Sequence, residues 1–552
     1  MRVTIAGRSQ MMWQALLAGK AVVKYMAKDM AKDMDKDIGR DEGQNVITSF
    51  AMKVASAMPT HGLIETPTPS QRIASAMILK MLCGLGGLLL ATAAKGETMN
   101  STLLIDNYFS SNPSGGLWWW LPFGGLLLCL GLMPLFFRHL WDKHFDKITL
   151  FWLAITLLPL LIFFGWRETG GVLLVMLLHD YLPFLILLTA LFVMAGGIVI
   201  KGYFDGRPSR NLQLLLLGTL LASFMGTMGA SMLLVRPCLR ALKRRRHHAP
   251  MLVFFIILVG NVGGALTPLG DPPLLLGLLR GIDFFWPLQH IWAPFLLLAG
   301  GLLLLFYLVD SYCWRREGLH MVHANRASEP LTIAGSHNFI FLLITMGVLL
   351  ATTGGDHGAG GVFGLAPMAI IRDVVFILLA LLSYLTTSKT IHQANAFNLA
   401  PAKEIAILFL GIFITLLPVM KLLAGATGQT LAQHALTNDA GGHNPVAYFW
   451  FTGLFSSLLD NAPTYLLFFQ LAGGDPQWLM TSGAKILLAI SMGAVFMGAN
   501  SYIGNAPNMV VRTLADSYRL RVPHFFAYSF YAAIILVPFY LLLSFLFLGL
   551  GL

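Results

Sequence analysis

Apolar residues run along this chain in long blocks without the every-second-residue alternation of a half-exposed strand. Continuous Leu, Phe and Ile stretches long enough to cross a bilayer as a helix recur from residue 117 to the C-terminus. Eight uninterrupted spans are predicted, at 117–137, 148–165, 182–200, 289–309, 338–351, 368–387, 404–424 and 524–550. Four further apolar segments are interrupted by small and polar residues. Segments 212–236 and 446–472 are interrupted near their middles, by Gly226-Thr-Met-Gly229 and Asp460-Asn-Ala-Pro463. Segments 251–280 and 480–511 are broken by Gly264-Ala-Leu-Thr-Pro-Leu-Gly-Asp-Pro-Pro273 and Gly498-Ala-Asn-Ser-Tyr-Ile-Gly-Asn-Ala-Pro507. The segment-and-break pattern thus occurs twice, about 233 residues apart. Paired, Gly/Pro-interrupted apolar segments in two halves of a membrane protein point to a transport site between repeats.

Composition sharpens this picture. The chain is 56% hydrophobic and 11% charged, against roughly 25% charged in an ordinary soluble protein. A β-barrel would alternate in short segments instead. The net charge of +11 resides in a few loops, as the positive-inside rule predicts, so it is no mark of nucleic-acid binding. Four cysteines, Cys83, Cys129, Cys238 and Cys313, lie in or beside apolar segments with no metal spacing, which argues against a disulfide framework.

The N-terminal 76 residues are of another kind, with the charged low-complexity run Met26–Asp37 and no apolar face to bury. They are expected to be a disordered or mis-assigned extension. Met77–Ala94 has a basic start, a short apolar core and small residues, and reads either as a signal peptide or as a first helix. The transporter repeats are then 117–336 and 337–552.

Loop charge sets the topology. Lys or Arg occur at 138–147 (Arg138, Lys143, Lys147), 201–211 (Lys201, Arg207, Arg210) and 236–246 (Arg236, Arg240, Lys243, Arg244, Arg245, Arg246), so all three loops should be internal. Two successive internal loops mean that 212–236 enters and returns. Neither 425–445 nor 473–478 contains Lys or Arg, so 446–472 should enter from the opposite side. Basic residues at 310–336 (Arg315, Arg316, Arg326), 388–403 (Lys389, Lys403) and 512–521 (Arg512, Arg519, Arg521) agree with this parity. The expected fold is an all-α polytopic membrane protein, with inverted repeats, two re-entrant hairpins and two broken transmembrane helices. It belongs in the inner (plasma) membrane, in contact with membrane lipid.

Asp271 and Asp460 are the leading candidates for chemistry. A carboxylate in the hydrocarbon zone costs a few kcal/mol, so it usually faces a cavity and has a partner. Burial raises such a group's pKa and a bound cation lowers it, so the group can exchange H⁺ for Na⁺. Either could instead simply cap a half-helix. Neutral oxygen donors surround them in sequence: Thr227, Ser231, Asn261, Thr267, Asn461, Thr464, Asn500, Ser501, Asn505 and Asn508. A hard cation such as Na⁺ prefers these oxygens, although each could serve only as a cap or an interhelical bond. Gly270, Pro272, Pro273, Pro463, Gly504 and Pro507 are expected to interrupt the helical ladder and free backbone carbonyls. No Walker loop, paired Cys/His motif or nucleophile elbow is present, which excludes ATP-driven transport within the chain and any recognisable enzyme of those classes.

Gly260-Asn-Val-Gly-Gly-Ala-Leu-Thr-Pro-Leu-Gly-Asp271 resembles the corresponding stretch of NhaD-type sodium/proton antiporters. Leu458-Leu-Asp-Asn-Ala-Pro-Thr464 resembles the hairpin tip of the citrate-transport (CitMHS-like) family of the same ion-transporter superfamily. The resemblance spans roughly residues 117–550. It implies a homodimer with a fixed scaffold and a transport domain moving elevator-fashion. It also implies ion sites at 227–231, 267–271, 460–464 and 501–505, with no cofactor beyond the coupling ions Na⁺ and H⁺. The first hairpin departs from the family pattern, carrying Gly226-Thr-Met-Gly229 where relatives place Asp or Asn. No Arg or Lys occurs in 251–279 or 447–484, and a citrate site would want cations or helix N-termini. Sodium/proton antiport is therefore the leading expectation and Na⁺- or H⁺-coupled citrate or dicarboxylate uptake the second. A channel suits two broken helices less well.

Overall fold

The structure, a computed structural model, describes residues 116–550 except 203–205, 244, 318–331, 354–366, 396, 426–429, 431–433 and 439–441. The expected extension 1–76 and the signal-like segment 77–94 lie outside the described residues, as do Arg244 and Arg326.

Helices account for nearly all of the described chain, and they sort into two bundles. The first comprises α1 (Trp120–Phe136), α2 (Arg138–Met176), α3 (Leu182–Gly196), α9 (His337–Thr353), α10 (Pro367–Thr386), α11 (Lys389–Ala394) and α12 (Ala400–Ala424). The second comprises α4 (Pro208–Met225), α5 (Thr227–Leu242), α6 (Ala249–Leu258), α7 (Pro272–Leu279) and α8 (Trp286–Glu317), followed by α13 (Pro445–Leu458), α14 (Asn461–Leu471), α15 (Pro476–Met480), α16 (Ala484–Met497), α17 (Ala506–Ser517) and α18 (Phe525–Leu543). In the first, α1, α2 and α12 pack together and α3 packs on α10; in the second, α13 packs on α16 and α4 on α5. The bundles meet where α3 touches α5 and α12 touches α14. Among the described residues, six helices are long and apolar enough to cross a membrane, and their outer faces carry exposed Leu, Phe and Trp. Such faces are stable only against lipid or another apolar surface.

The second and third predicted spans are not separated by a loop. Instead the chain breaks at one residue, Gly165 (φ 77°, ψ 170°), where the predicted span 148–165 ends and a second helical stretch runs on to Met176; glycine adopts this non-helical backbone without a Cβ penalty. A π-helical turn, Leu177–Tyr181, then leads into α3. Residues 138–147, expected as a loop, likewise form the start of α2.

Both interrupted segments at 212–236 and 446–472 are helix pairs. Gly226 (φ 81°) separates α4 from α5, and Leu459-Asp460 separates α13 from α14. Segment 251–280 consists of α6, a 3-10 turn at Val262–Leu266, an extended stretch and α7. Segment 480–511 repeats this with α16, a 3-10 turn at Gly498–Asn500, an extended stretch and α17. The prolines start helices here and break none: Pro272 and Pro273 lie in the first turn of α7, Pro463 in that of α14 and Pro507 in that of α17, where a missing N–H costs nothing.

Two short strands, β1 (Val199–Lys201) and β2 (Thr332–Ala334), pair antiparallel with Ile200 opposite Ile333. They lie on the connections α3–α4 and α8–α9. Arg240 of α5 donates to Ile200 O at 2.9 Å, fastening this ribbon to the second bundle.

Arg245, counted in sequence as part of a solvated basic loop, is only 5% exposed. It donates to Asp310 at 2.7 Å, Glu317 at 2.7 Å and Gly206 O at 2.8 Å, and its guanidinium lies over the Trp314 ring. Asn211 completes Asp310 at 2.8 Å. A buried Arg fork is stable when each of its donors finds an acceptor. This cluster joins the start of α4 to the end of α8.

Candidate functional site

A break in a helix orphans donors and acceptors that must be satisfied within the protein when water is absent. At the first hairpin tip, Thr227 N donates to Gly270 O (2.8 Å), and Ser223 Oγ donates to Gly263 O (2.5 Å). At the second, Asn461 N donates to Gly504 O (3.2 Å), and Ser457 Oγ donates to Met497 O (3.0 Å). Every partner in the second set stands 234 residues after its counterpart, the same separation as Asp271 and Asn505. Thr227 is therefore in register with Asn461, and Gly226 with Asp460. This shifts by one residue the spacing of about 233 read from the sequence, on which Thr227 would stand against Asp460. Close approach explains the glycines: a Cβ on Gly504 would lie 2.6 Å from Ser456 O, and one on Gly270 would strike Gly264 O.

Asp271 lies at the centre, 2% exposed. Its Oδ1 accepts from Thr227 Oγ1 (3.0 Å) and Asn505 Nδ2 (2.9 Å), and its Oδ2 from Asn461 Nδ2 (2.6 Å). One donor comes from its own half and two from the other. Among the described residues no basic side chain bonds it. Asn505 Nδ2 also reaches Gly260 O at 3.0 Å, crossing from one break to the other. Asn461 Oδ1 is buried and has no hydrogen-bond partner.

Asp460 caps α14, accepting from Ala462 N at 3.1 Å, and Thr464 Oγ1 donates to its carbonyl at 2.9 Å. Asp460 shares one cavity with Asp271, Thr227 and Asn505. The cavity has a volume of about 60 Å³. Its other walls are apolar, including Leu188, Leu191 and Phe192 of α3 and Ile405 and Phe409 of α12. It therefore lies between the two bundles, polar on one side only. No Lys or Arg occurs among its described lining residues.

Four helices begin at this cavity: α5 after Gly226, α7 after Asp271, α14 after Asp460 and α17 after Asn505. Helix N-termini carry unpaired N–H groups and the positive end of the macrodipole. Neither α5 nor α17 has a side-chain cap. The polar side thus sets two carboxylates beside four helix starts, of which α7 opens on two prolines without N–H groups and α5 and α14 have spent their first N–H on Gly270 O and Gly504 O.

The remaining candidates divide. Asn261 Nδ2 donates to Asn508 Oδ1 (2.8 Å) and Ile256 O (2.8 Å), leaving its own buried Oδ1 without a partner. Asn508 Nδ2 donates to Gly498 O (3.0 Å) and Ser501 O (2.8 Å). These two amides clamp one break to the other. Thr267 Oγ1 donates to Ser223 O. Ser501 Oγ accepts from Ile503 N and Gly504 N, both at 3.1 Å, and shapes its own turn. Asn500 Nδ2 donates to Ser457 Oγ at 2.8 Å, outside the cavity lining. Ser231 Oγ is buried without a partner and does not line the cavity. Lys485 is exposed in the first turn of α16, and Arg512 lies over the Tyr502 ring. The apolar wall from α3 and α12 had no signal in the sequence beyond general hydrophobicity.

Fold and site together define a polytopic helical membrane protein whose interior carboxylate is held by both halves of the chain, beside a cavity between two bundles. The family described as "Putative citrate transport" matches residues 112–548. The chain belongs to that family. No curated protein matches it.

Proposed function

We propose that the protein is a secondary transporter that carries a citrate-class carboxylate in company with a coupling cation, Na⁺ or H⁺. The observation that carries this reading is the convergence of four helix N-termini on a cavity containing Asp271 and Asp460. The uncapped starts of α5 and α17 offer an anion backbone N–H groups and positive dipole ends in place of arginine. Asp271, with the unpartnered oxygen of Asn461 beside it, offers the coupling cation its oxygens. Family membership supports the choice of anion.

In this reading α4–α5 and α13–α14 are re-entrant hairpins of inverted repeats in the inner membrane. The second bundle moves against the first. The apolar face of Leu188, Leu191, Phe192, Ile405 and Phe409 suits such motion, because it makes no hydrogen bonds that a sliding partner must break. The resemblance in sequence adds a homodimer built on the first bundle, with lipid around it.

A second reading, sodium/proton antiport, is favoured by the absence of Lys and Arg from the described cavity lining. Purified protein in proteoliposomes separates the two. Labelled citrate should accumulate when a Na⁺ or H⁺ gradient is imposed, and Asp271→Asn should stop it. A Na⁺-driven change of lumenal pH without citrate entry would select the antiport reading. Neither signal, with protein shown to be folded, would remove both.

A further inference from the structure

We infer that Tyr502, Tyr528 and Tyr540 are positioning residues for the cavity, holding the second break in the shape that keeps Asn505 on Asp271. The end of α16 and the 3-10 turn after it leave carbonyls without the regular i+4 partner of a continuing helix, Phe496 O receiving from the backbone only the Gly498 N–H. Phenols reach them. Tyr540 Oη donates to Phe496 O at 2.8 Å and lies 3.3 Å from Asn500 Oδ1. Tyr528 Oη donates to Ala499 O at 2.8 Å. Both tyrosines belong to α18 and are fully buried. In return, Tyr502 of the break donates to Pro523 O at 2.9 Å, just ahead of α18. The Tyr502 and Tyr528 rings stack at 4.2 Å, and Arg512 lies over Tyr502 at 4.8 Å. Asn500 extends the contact to Ser457 at the end of α13. A buried phenol needs a partner, and here the partners are the carbonyls freed by the break.

The first break has no such clasp. At the offset of 234 shared by Asp271 and Asn505, the three tyrosines correspond to Pro268, Pro294 and Phe306. Phe306 is fully buried against Phe254 and carries no hydroxyl. Two carbonyls of the first break, Ile256 O and Gly260 O, are instead taken by Asn261 and by Asn505 of the second. The second break is thus clasped by tyrosines of its own half, while the first is held by side chains of both halves. The tyrosines touch neither cavity nor cargo, so their effect passes through Asn505.

This inference rests on the transport reading only for what the assay carries. Tyr540→Phe and Tyr528→Phe remove one oxygen each and leave the rings in place. In the full-length protein, amide hydrogen exchange over 496–508 should quicken about five- to tenfold on loss of one buried hydrogen bond. Exchange over α5 should not change. In proteoliposomes, half-saturation for cargo should rise by about the same factor with maximal rate unaltered. Unchanged exchange at 496–508 in both variants would overturn the inference, as would a lower maximal rate with unaltered half-saturation. If the wild-type protein carries neither citrate nor cation, the transport reading fails and the exchange result alone decides the clasp.

Discussion

At the first hairpin tip the chain places Gly226 and Thr227; at the second, Asp460 and Asn461. At the breaks the assignment is reversed, with Asp271 in the first half and Asn505 in the second. The backbone bonds tying each tip to its break, Thr227 N to Gly270 O and Asn461 N to Gly504 O, are alike. Two copies of one backbone plan therefore carry their carboxylates on different elements. Asp271 is buried and bound by three donors. Asp460 is half-buried and occupied with capping its own helix.

The largest expected effect comes from erasing this difference at its centre. Asp271→Asn should lower initial uptake on the order of a hundredfold, since the amide sets a donor against Asn461 Nδ2 and takes the carboxylate's charge from the bonds that remain. Adding Asn505→Asp to that variant puts the carboxylate at the mirrored position, and partial recovery of uptake would show that the halves are interchangeable there. Next, Asp460→Gly makes the second tip like the first. It should raise half-saturation about tenfold through the loss of a cavity carboxylate, since glycine replaces the cap at a cost of only a few tenths of a kcal/mol, as seen in concentration series of uptake. Gly226→Asp makes the first tip like the second. The left-handed φ of 81° there should cost roughly 1–2 kcal/mol of stability for a side chain with a Cβ, measured as a lower midpoint of thermal unfolding. The smallest change is Thr227→Val, which removes the longest of the three bonds to Asp271 (3.0 Å). It should weaken uptake about threefold and leave the unfolding midpoint in place.

Much of this was legible in sequence because glycine, proline and polar residues inside apolar runs are local signals. The hairpin tips, both breaks and the residues 227, 271, 461 and 505 were found that way. The one-residue register of the two tips was not, because it is defined by bonds between segments some forty residues apart (Thr227 to Gly270). Asn500 read as an ion ligand because its neighbours did, yet its amide is spent on Ser457. Arg245 read as one more solvated cation in a basic run; only the fold brings Asp310 and Glu317 to it. The end of the span at 165 coincides with the non-helical Gly165, but the helical stretch from 166 to 176 was left outside the predicted spans.

The ribbon of β1 and β2 bears on the order in which the chain assembles. Pairing Ile200 with Ile333 closes a loop that contains α4 to α8 whole. Closing so long a loop costs little more than closing a short one, about 0.6 kcal/mol for each doubling of length. The first hairpin, the first break and Asp271 can therefore be gathered before α13 has been synthesised. At that stage Asp271 has Thr227 alone. Its two amide partners, Asn461 and Asn505, arrive with the last hundred or so residues, so a nascent chain halted after α9 would hold a carboxylate still waiting for most of its bonds.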